Sequence, residues 1–333
     1  METISPVYAR LVLGELERRG IDTTPLFEGT ALTRRELVRG GDLVMDDFLH
    51  ILRTGQRLSN DNQLGLMLGR NANVLALGAV GSAAAVAPSI REGLQVLDSY
   101  TRLHASYIRI RGRSGLHGLR VYIRYAQDPG ELRRFHTETG LMVLQQYIEA
   151  VCAGPLEGVV FHCDFAKPDY AAEYASCLRG QVVFDAPEAS LEIPRSYLDQ
   201  PSPYYNAQLW QEAQIDLARR LKTLADGEST PYTSHIVSLL RTSEPPLPDL
   251  AAVARTLHTS ERTLNRRLQA EGSSFRTLKS DALATWGTLY LADTDQSVES
   301  IAATLGYQDA ANFRRAFRKS VGRSPNDYRL HRE

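Results

Sequence analysis

The chain has 333 residues, 43% of them apolar and 23% charged, with a formal net charge of −1 at pH 7. These values describe an ordinary globular protein, exclude a low-complexity or collagenous one, and at this length favour two domains over one. No apolar run approaches the roughly 18–20 residues of a membrane span, and the opening "METISPVYARLVLGELERRG" is interrupted by charges, so neither a signal peptide nor an anchor is expected.

Cys152, Cys163 and Cys177 form no Cys-x-x-Cys pair, and an odd count points to reduced thiols in a cytoplasm. Charge is unevenly placed. Residues 232–333 hold 14 Lys+Arg against 11 Asp+Glu, net +3, leaving residues 1–231 at net −4. Many of the basic residues fall in two short stretches, and such local placement matters more than the sum.

Residues 1–105 read as helical. "PVYARLVLGELERRG" has apolar positions at helical spacing and ends on Gly20, a good left-handed stop. "MDDFLHILRTGQRLS" and "NDNQLGLMLGRNA" repeat the pattern. The stretch rich in small residues, "LGAVGSAAAVAPSIREGLQVLDSYTRLH", breaks at Pro88, with Ser89 placed to cap the next helix; small residues there imply close packing.

The period then changes. "ASYIRIRGRSGLHGLRVYIRYA" alternates apolar residues with arginine around Ser114-Gly115, which predicts a β-hairpin with one wet face. Arg109, Arg111, Arg120 and Arg124 on that face suit either solvent or an anionic ligand. A helix over "ELRRFHTETGLMVLQQYIEAVC" follows, then a strand in "GVVFHCDF", a short helix at 170–178, and strands "QVVFDA" and "ASLEIP". The fold class expected for residues 1–225 is therefore α+β, with helices and a mixed sheet of about five strands.

In "AQLWQEAQIDLARRLKTLAD", Trp210, Ala213, Leu217, Leu221 and Leu224 are spaced 3, 4, 4 and 3 residues apart, a heptad-like stripe. It can pack on its own domain or form a two-helix dimer seam over 198–225. "DGESTP" at 226–231 reads as a linker, and a second, all-α domain is expected over 232–333.

In "PDLAAVARTLHTSERTLNRRLQAEG", Leu250, Val253, Ala254 and Leu257 form one stripe, Ser260 is a good N-cap, and Leu264 and Leu268 form the inner side of a second helix. That is a helix-turn-helix pattern at about 249–270, whose second helix suits a DNA major groove. Arg262, Asn265 and Arg266 then face outward. The pattern recurs at about 298–319 in "SVESIAATLGYQDAANFRRAFRKSVG": Ser297 caps, Ile301, Ala302 and Leu305 point in, Gly306 turns, and Phe313, Ala316 and Phe317 form the next inner face. Ala311, Asn312, Arg314, Arg315, Arg318 and Lys319 face out. The intervening "FRTLKSDALATWGTLYLADTD" can run as one helix of about 18 residues, about 27 Å long. Successive major-groove faces lie roughly 34 Å apart. Arg and Asn supply bidentate contacts to guanine and adenine edges.

The run "SVESIAATLGYQDAANFRRAFRKSVGRSPNDYR" resembles the signature of the AraC/XylS family of transcriptional regulators, notably in Leu305-Gly306-Tyr307, Arg315-Ala316-Phe317, Gly322, Ser324-Pro325 and Tyr328-Arg329. The resemblance implies base reading by Arg262, Asn265, Arg266, Ala311, Asn312, Arg314 and Arg315, with Ala311 limited to an apolar contact such as a thymine methyl. Phosphate contacts fall to Ser260, Arg318, Lys319 and Arg323. Where the linking helix of the family usually carries Arg and, four residues on, Ala, this chain has Leu283 and Gly287; a glycine there costs about 1 kcal/mol of helix propensity. Residues 1–225 resemble, more loosely, the arabinose-binding-type N-terminal domain of one branch of that family, through "LGLMLGR" and "GQVVFDAPEASLEIPRSYLDQP". That resemblance implies a small-molecule effector, whose binding residues no motif identifies, and a homodimer. It also implies an activator in contact with double-stranded DNA and RNA polymerase, with no cofactor, metal or membrane. Control by abundance or a protein partner, without a ligand, stays open. An enzyme is disfavoured: His162 and Cys163 are strand neighbours on opposite faces, and no Gly-x-Ser-x-Gly, His-Glu-x-x-His or phosphate loop occurs.

Overall fold

A computed structural model describes residues 3–60, 63–105, 107–126, 128–152, 154–225, 232–257 and 259–330, with the side chains of Thr3 and of 222–225 excepted. The expected linker 226–231 and the side chain of Leu224 lie outside the described residues. Two compact units are present: Met1–Arg111 with Arg120–Leu221, and Gly112–Leu119 with Lys222–Glu333.

The N-terminal unit combines helices with a mixed sheet, as its changing hydrophobic period predicts. A two-stranded piece pairs β1 (Thr3–Ile4) antiparallel with β2 (Leu43–Val44). The main sheet contains β3 (Ile108–Ser114), β4 (Gly118–Tyr125), β5 (Val160–His162), β6 (Gln181–Val183) and β7 (Ser190–Pro194), in the order β3-β4-β7-β5-β6. β5 runs parallel to β6 and antiparallel to β7, with Phe161 opposite both Val182 and Leu191.

Helix Met45–Ser59 buries Phe48, Ile51 and Leu52 against the first helix, Val7–Arg18, where Val12 and Leu16 are equally sealed. Helix Ile90–Tyr100 starts on Ser89, whose side chain accepts from the Arg91 N–H at 3.1 Å. Small residues before and within it permit close packing. A Cβ at Gly81 would fall 1.7 Å from the Val74 carbonyl oxygen, and one at Gly93 would fall 1.6 Å from the Tyr147 hydroxyl. The central helix, Arg133–Cys152, is buried on most sides, as Leu141, Met142, Val143, Leu144 and Ile148 require.

On the hairpin the apolar face is inward: Ile110, Leu119, Val121 and Ile123 are buried. The arginines opposite are largely paired within the protein. Arg124 makes two bonds to Glu188, at 2.7 and 3.0 Å, Arg120 pairs with Glu192, and Arg111 donates to the Asp98 carbonyl at 2.7 Å. Cys163 is wholly buried, which pushes its thiol up to about 12, so it is no nucleophile at neutral pH. No single helix among the described residues is long and apolar enough to cross a membrane.

The C-terminal unit is helical from Tyr232 onward and has one core. The hairpin tip joins it: Leu116 packs on that core, the Ser114 hydroxyl donates to the Thr242 carbonyl at 2.8 Å, and the Arg241 guanidinium donates to the Gly112 carbonyl at 2.6 Å.

Candidate nucleic-acid interface

The first motif opens with a scaffold helix, Leu250–Thr256, capped by Asp249, whose carboxylate accepts from the Ala252 N–H at 2.7 Å. Its Val253 and Ala254 are buried, and small Ala254 permits close helix approach. The first reading helix, Glu261–Ala270, starts at Ser260, which accepts from the Thr263 N–H at 3.2 Å. Leu264 and Leu268 are fully buried, one turn apart, so Arg262, Asn265 and Arg266 are exposed on the other side. None of these three makes a side-chain hydrogen bond or ion pair among the described residues. The Ser260 hydroxyl is already engaged with that of Thr263 at 2.9 Å.

The linking helix, Phe275–Asp293, begins on a Ser274 cap and has 19 residues, hence roughly 28 Å. Its Trp286 and Leu291 enter the same core as both motifs. Gly287 has a packing reason. A Cβ there would lie 3.0 and 3.1 Å from two Phe317 ring carbons and 3.2 Å from one of Phe313. Absence of that methyl lets the strut lie against the aromatic side of the second reading helix.

The second scaffold helix, Val298–Thr304, is capped by Ser297 and buries Ile301 and Ala302; Gly306 supplies the left-handed turn at φ +80°. The second reading helix, Ala310–Val321, starts on Asp309 and stops on Gly322 at φ +82°. Phe313 and Phe317 are buried between Tyr307 and Tyr328 in tilted and edge-to-face contacts, with ring centroids 5.5 to 5.7 Å apart. Ala311, Arg314, Arg315, Arg318 and Lys319 are exposed, as is Arg323 beyond the helix, while Asn312 is half-buried.

The two reading faces differ in a way that spacing does not reveal. On the second, Asp309 accepts from the Asn312 amide nitrogen at 2.7 Å, and Asn312 accepts from Arg315 at 2.6 Å. Arg314 is paired with Glu299 of the scaffold helix. Arg318, Lys319 and Arg323 make no such contact among the described residues. The second face is thus pre-ordered, and the first is open.

A further group holds the first reading helix from behind. The Glu271 carboxylate, at the end of that helix, accepts from the Tyr232 N–H at 2.5 Å and from the Thr233 N–H and hydroxyl at 2.8 and 2.7 Å. Arg267 lies over the Tyr232 ring at 4.2 Å. Helix Tyr232–Thr242 therefore receives its N-terminal cap from the far side of the motif. Sequence reading missed this, because partners 39 residues apart leave no local signal.

Of the stripe expected on helix Ala207–Ala225, Leu217 and Leu221 are buried within this chain, and Trp210 and Ala213 are half-buried. Among the described residues of that helix, the exposed large apolar side chains are Leu209 and Ile215, with Tyr204 and Tyr205 exposed just before it.

Comparison with known proteins agrees with this anatomy. Residues 20–202 match the arabinose-binding domain of AraC transcription regulators, N-terminal, and residues 253–331 match a helix-turn-helix domain. The ornithine utilization regulator of Pseudomonas aeruginosa is 30% identical, over 98% of this chain and 96% of its own. An uncharacterised helix-turn-helix-type transcriptional regulator of Mycobacterium bovis is 26% identical over the same shares. Among solved structures, the transcriptional regulator CdpR of Pseudomonas aeruginosa aligns over 97% of this chain and 98% of its own, with a TM-score of 0.50 and 24% identity, a likeness of fold alone. With an N-terminal domain of the arabinose-binding type and a paired helix-turn-helix region of matching design, this chain belongs to the AraC family of DNA-binding transcriptional regulators.

Proposed function

We propose that the protein is a sequence-specific activator that reads two adjacent major-groove segments, one with each reading helix. The observation that carries this reading is the placement of Arg262, Asn265 and Arg266 on one helix and of Ala311, Asn312, Arg314 and Arg315 on another, both built on one core with the linking helix between. Arginine and asparagine recognise guanine and adenine edges bidentately, and Ser260 at the first motif with Arg318, Lys319 and Arg323 at the second serve the phosphates. Selection of bound sequences from a random duplex library tests it. Arg266→Ala and Arg315→Ala should each relax preference at a separate cluster of positions, at a cost of about 1–3 kcal/mol. Identical selected sequences from both variants and the parent would refute the base-reading assignment.

Regulation in this reading is by a small molecule held in the N-terminal domain, and activation proceeds by contact with RNA polymerase in the cytoplasm. A family domain built around effector binding supports the first point. A transcription reporter, dosed with a metabolite library that includes L-ornithine, tests both: activation must rise with protein and respond to a compound. The protein works as a homodimer. Helix Ala207–Ala225 remains the candidate seam, and the side chains free to meet a partner there are Leu209 and Ile215, flanked by Trp210 and Ala213.

A further inference from the structure

The N-terminal unit contains a cavity of about 60 Å³. Its walls come from helix Ile90–Tyr100 and the turn after it, from the inner side of β3 and β4 at Ile110 and Ile123, and from the central helix at His136, Thr139 and Val143. Among the described residues no Asp, Glu, Lys or Arg reaches it. The threonine hydroxyls at the wall are committed to backbone: Thr139 donates to the Gly65 carbonyl at 3.1 Å, and Thr101 to that of Leu97. His136 is engaged with the Tyr107 hydroxyl at 3.2 Å. His104 differs. It is 7% exposed, lines the cavity, meets the edge of the Tyr8 ring, and makes no side-chain hydrogen bond among the described residues.

The lining selects by charge and by size. An ionised ligand entering this space loses its hydration and finds no opposite charge. A sugar carries several hydroxyls, each needing a partner, and the lining offers few uncommitted ones. Benzene fills an apolar cavity of about 150 Å³ in another protein, so the occupant here is smaller. Burial holds His104 at about 4 and His136 at about 3, so both rings are neutral near pH 7, each with one donor and one acceptor nitrogen.

We infer that this cavity is the effector site, and that it takes a small, uncharged, mainly apolar molecule of the short-chain ketone or alcohol class, anchored by one hydrogen bond to His104. The inference rests on the reading that a small molecule regulates the protein, and it runs against a zwitterionic amino acid or a sugar as the ligand.

The test uses the full-length protein with labelled histidine rings, titrated separately with acetone, 2-propanol, L-ornithine and L-arabinose. The His104 resonances, assigned from His104→Phe, should shift saturably with acetone or 2-propanol and not with the other two. Ala105→Leu, which fills the cavity, should weaken that binding at least tenfold; if it fails to fold, Val143→Ile serves as the milder filling. Three results would overturn the inference: no saturable shift, a saturable His104 shift with ornithine or arabinose, or an acetone shift indifferent to filling. A parallel reporter separates the two readings. A compound that acts equally on the parent and the filled variant leaves effector control standing and removes this site. Ligand-induced shifts at His104 without any transcriptional response keep the site and remove effector control.

Discussion

Replacing Gly287 by alanine sets two effects of opposite sign against each other. In the linking helix the substitution gains about 1 kcal/mol of helix propensity. The added methyl, however, arrives 3.0 to 3.2 Å from ring carbons of Phe317 and Phe313. Neither ring has room to retreat, since both are buried, 5.5 Å apart, and closed in by Tyr307 and Tyr328. Overpacking of this kind costs about 1–3 kcal/mol. The expected net effect is a loss of about 1 kcal/mol, with the second reading helix pushed off its seat. Urea unfolding of the full chain measures it in a Trp210→Phe background, where Trp286 is the remaining tryptophan and reports from the core concerned. A gain of about 1 kcal/mol with operator affinity unchanged would show that the rings yield, and would refute the close-approach account of the glycine.

Arg318→Ala should weaken binding to all duplexes alike and reduce the salt slope by about 1; a loss confined to one base pair contradicts the phosphate role. Glu271→Ala strips the cap from helix Tyr232–Thr242 and should destabilise the C-terminal unit by about 1–2 kcal/mol, read from Trp286 fluorescence. Leu209→Glu should lower the dimer mass in sedimentation without unfolding the chain, whereas Leu217→Glu, at a buried position, should unfold its helix. The N-terminal unit should show two opposed pH dependences. His104 and His136 titrate lower when folded, at about 4 and 3, so the unfolded chain binds more protons and stability is lost as pH falls below 6.5. Glu138 is pushed up to about 7 by burial, so its contribution is present below 4.5 and lost as pH rises through 7. The two windows overlap between pH 4.5 and 6.5 with opposite slopes, so denaturation midpoints should fall more steeply toward acid there in Glu138→Gln and less steeply in His104→Phe than in the parent.

Both helix-turn-helix motifs were legible because they are local. Caps at Ser260 and Ser297, inner leucines and phenylalanines one turn apart, and a glycine at the turn all act within about ten residues. The hairpin's alternation was legible for the same reason. The N-terminal cavity was not: its lining runs from Ile4 to Leu144, and no spacing brings Tyr8 beside His104. Nor does periodicity reveal that Arg314 is held by Glu299, 15 residues away, or that the tip Gly112–Leu119 belongs with the C-terminal unit. For Gly287 a local rule indicated a weaker strut. The contact with Phe317 supplies the opposing reason, and it involves residues 30 positions apart that only the folded chain brings together.

Tyr232, which opens helix Tyr232–Thr242, is held by its N–H to Glu271 and by its ring under Arg267. Both anchors sit on the closing turn of the first reading helix. A displacement of the backbone at Tyr232 or Thr233 is therefore felt at that turn, through the Glu271 carboxylate and the Arg267 side chain. The less constrained of the two probes thus shares its closing turn with the start of helix Tyr232–Thr242, so a change in one cannot leave the other untouched.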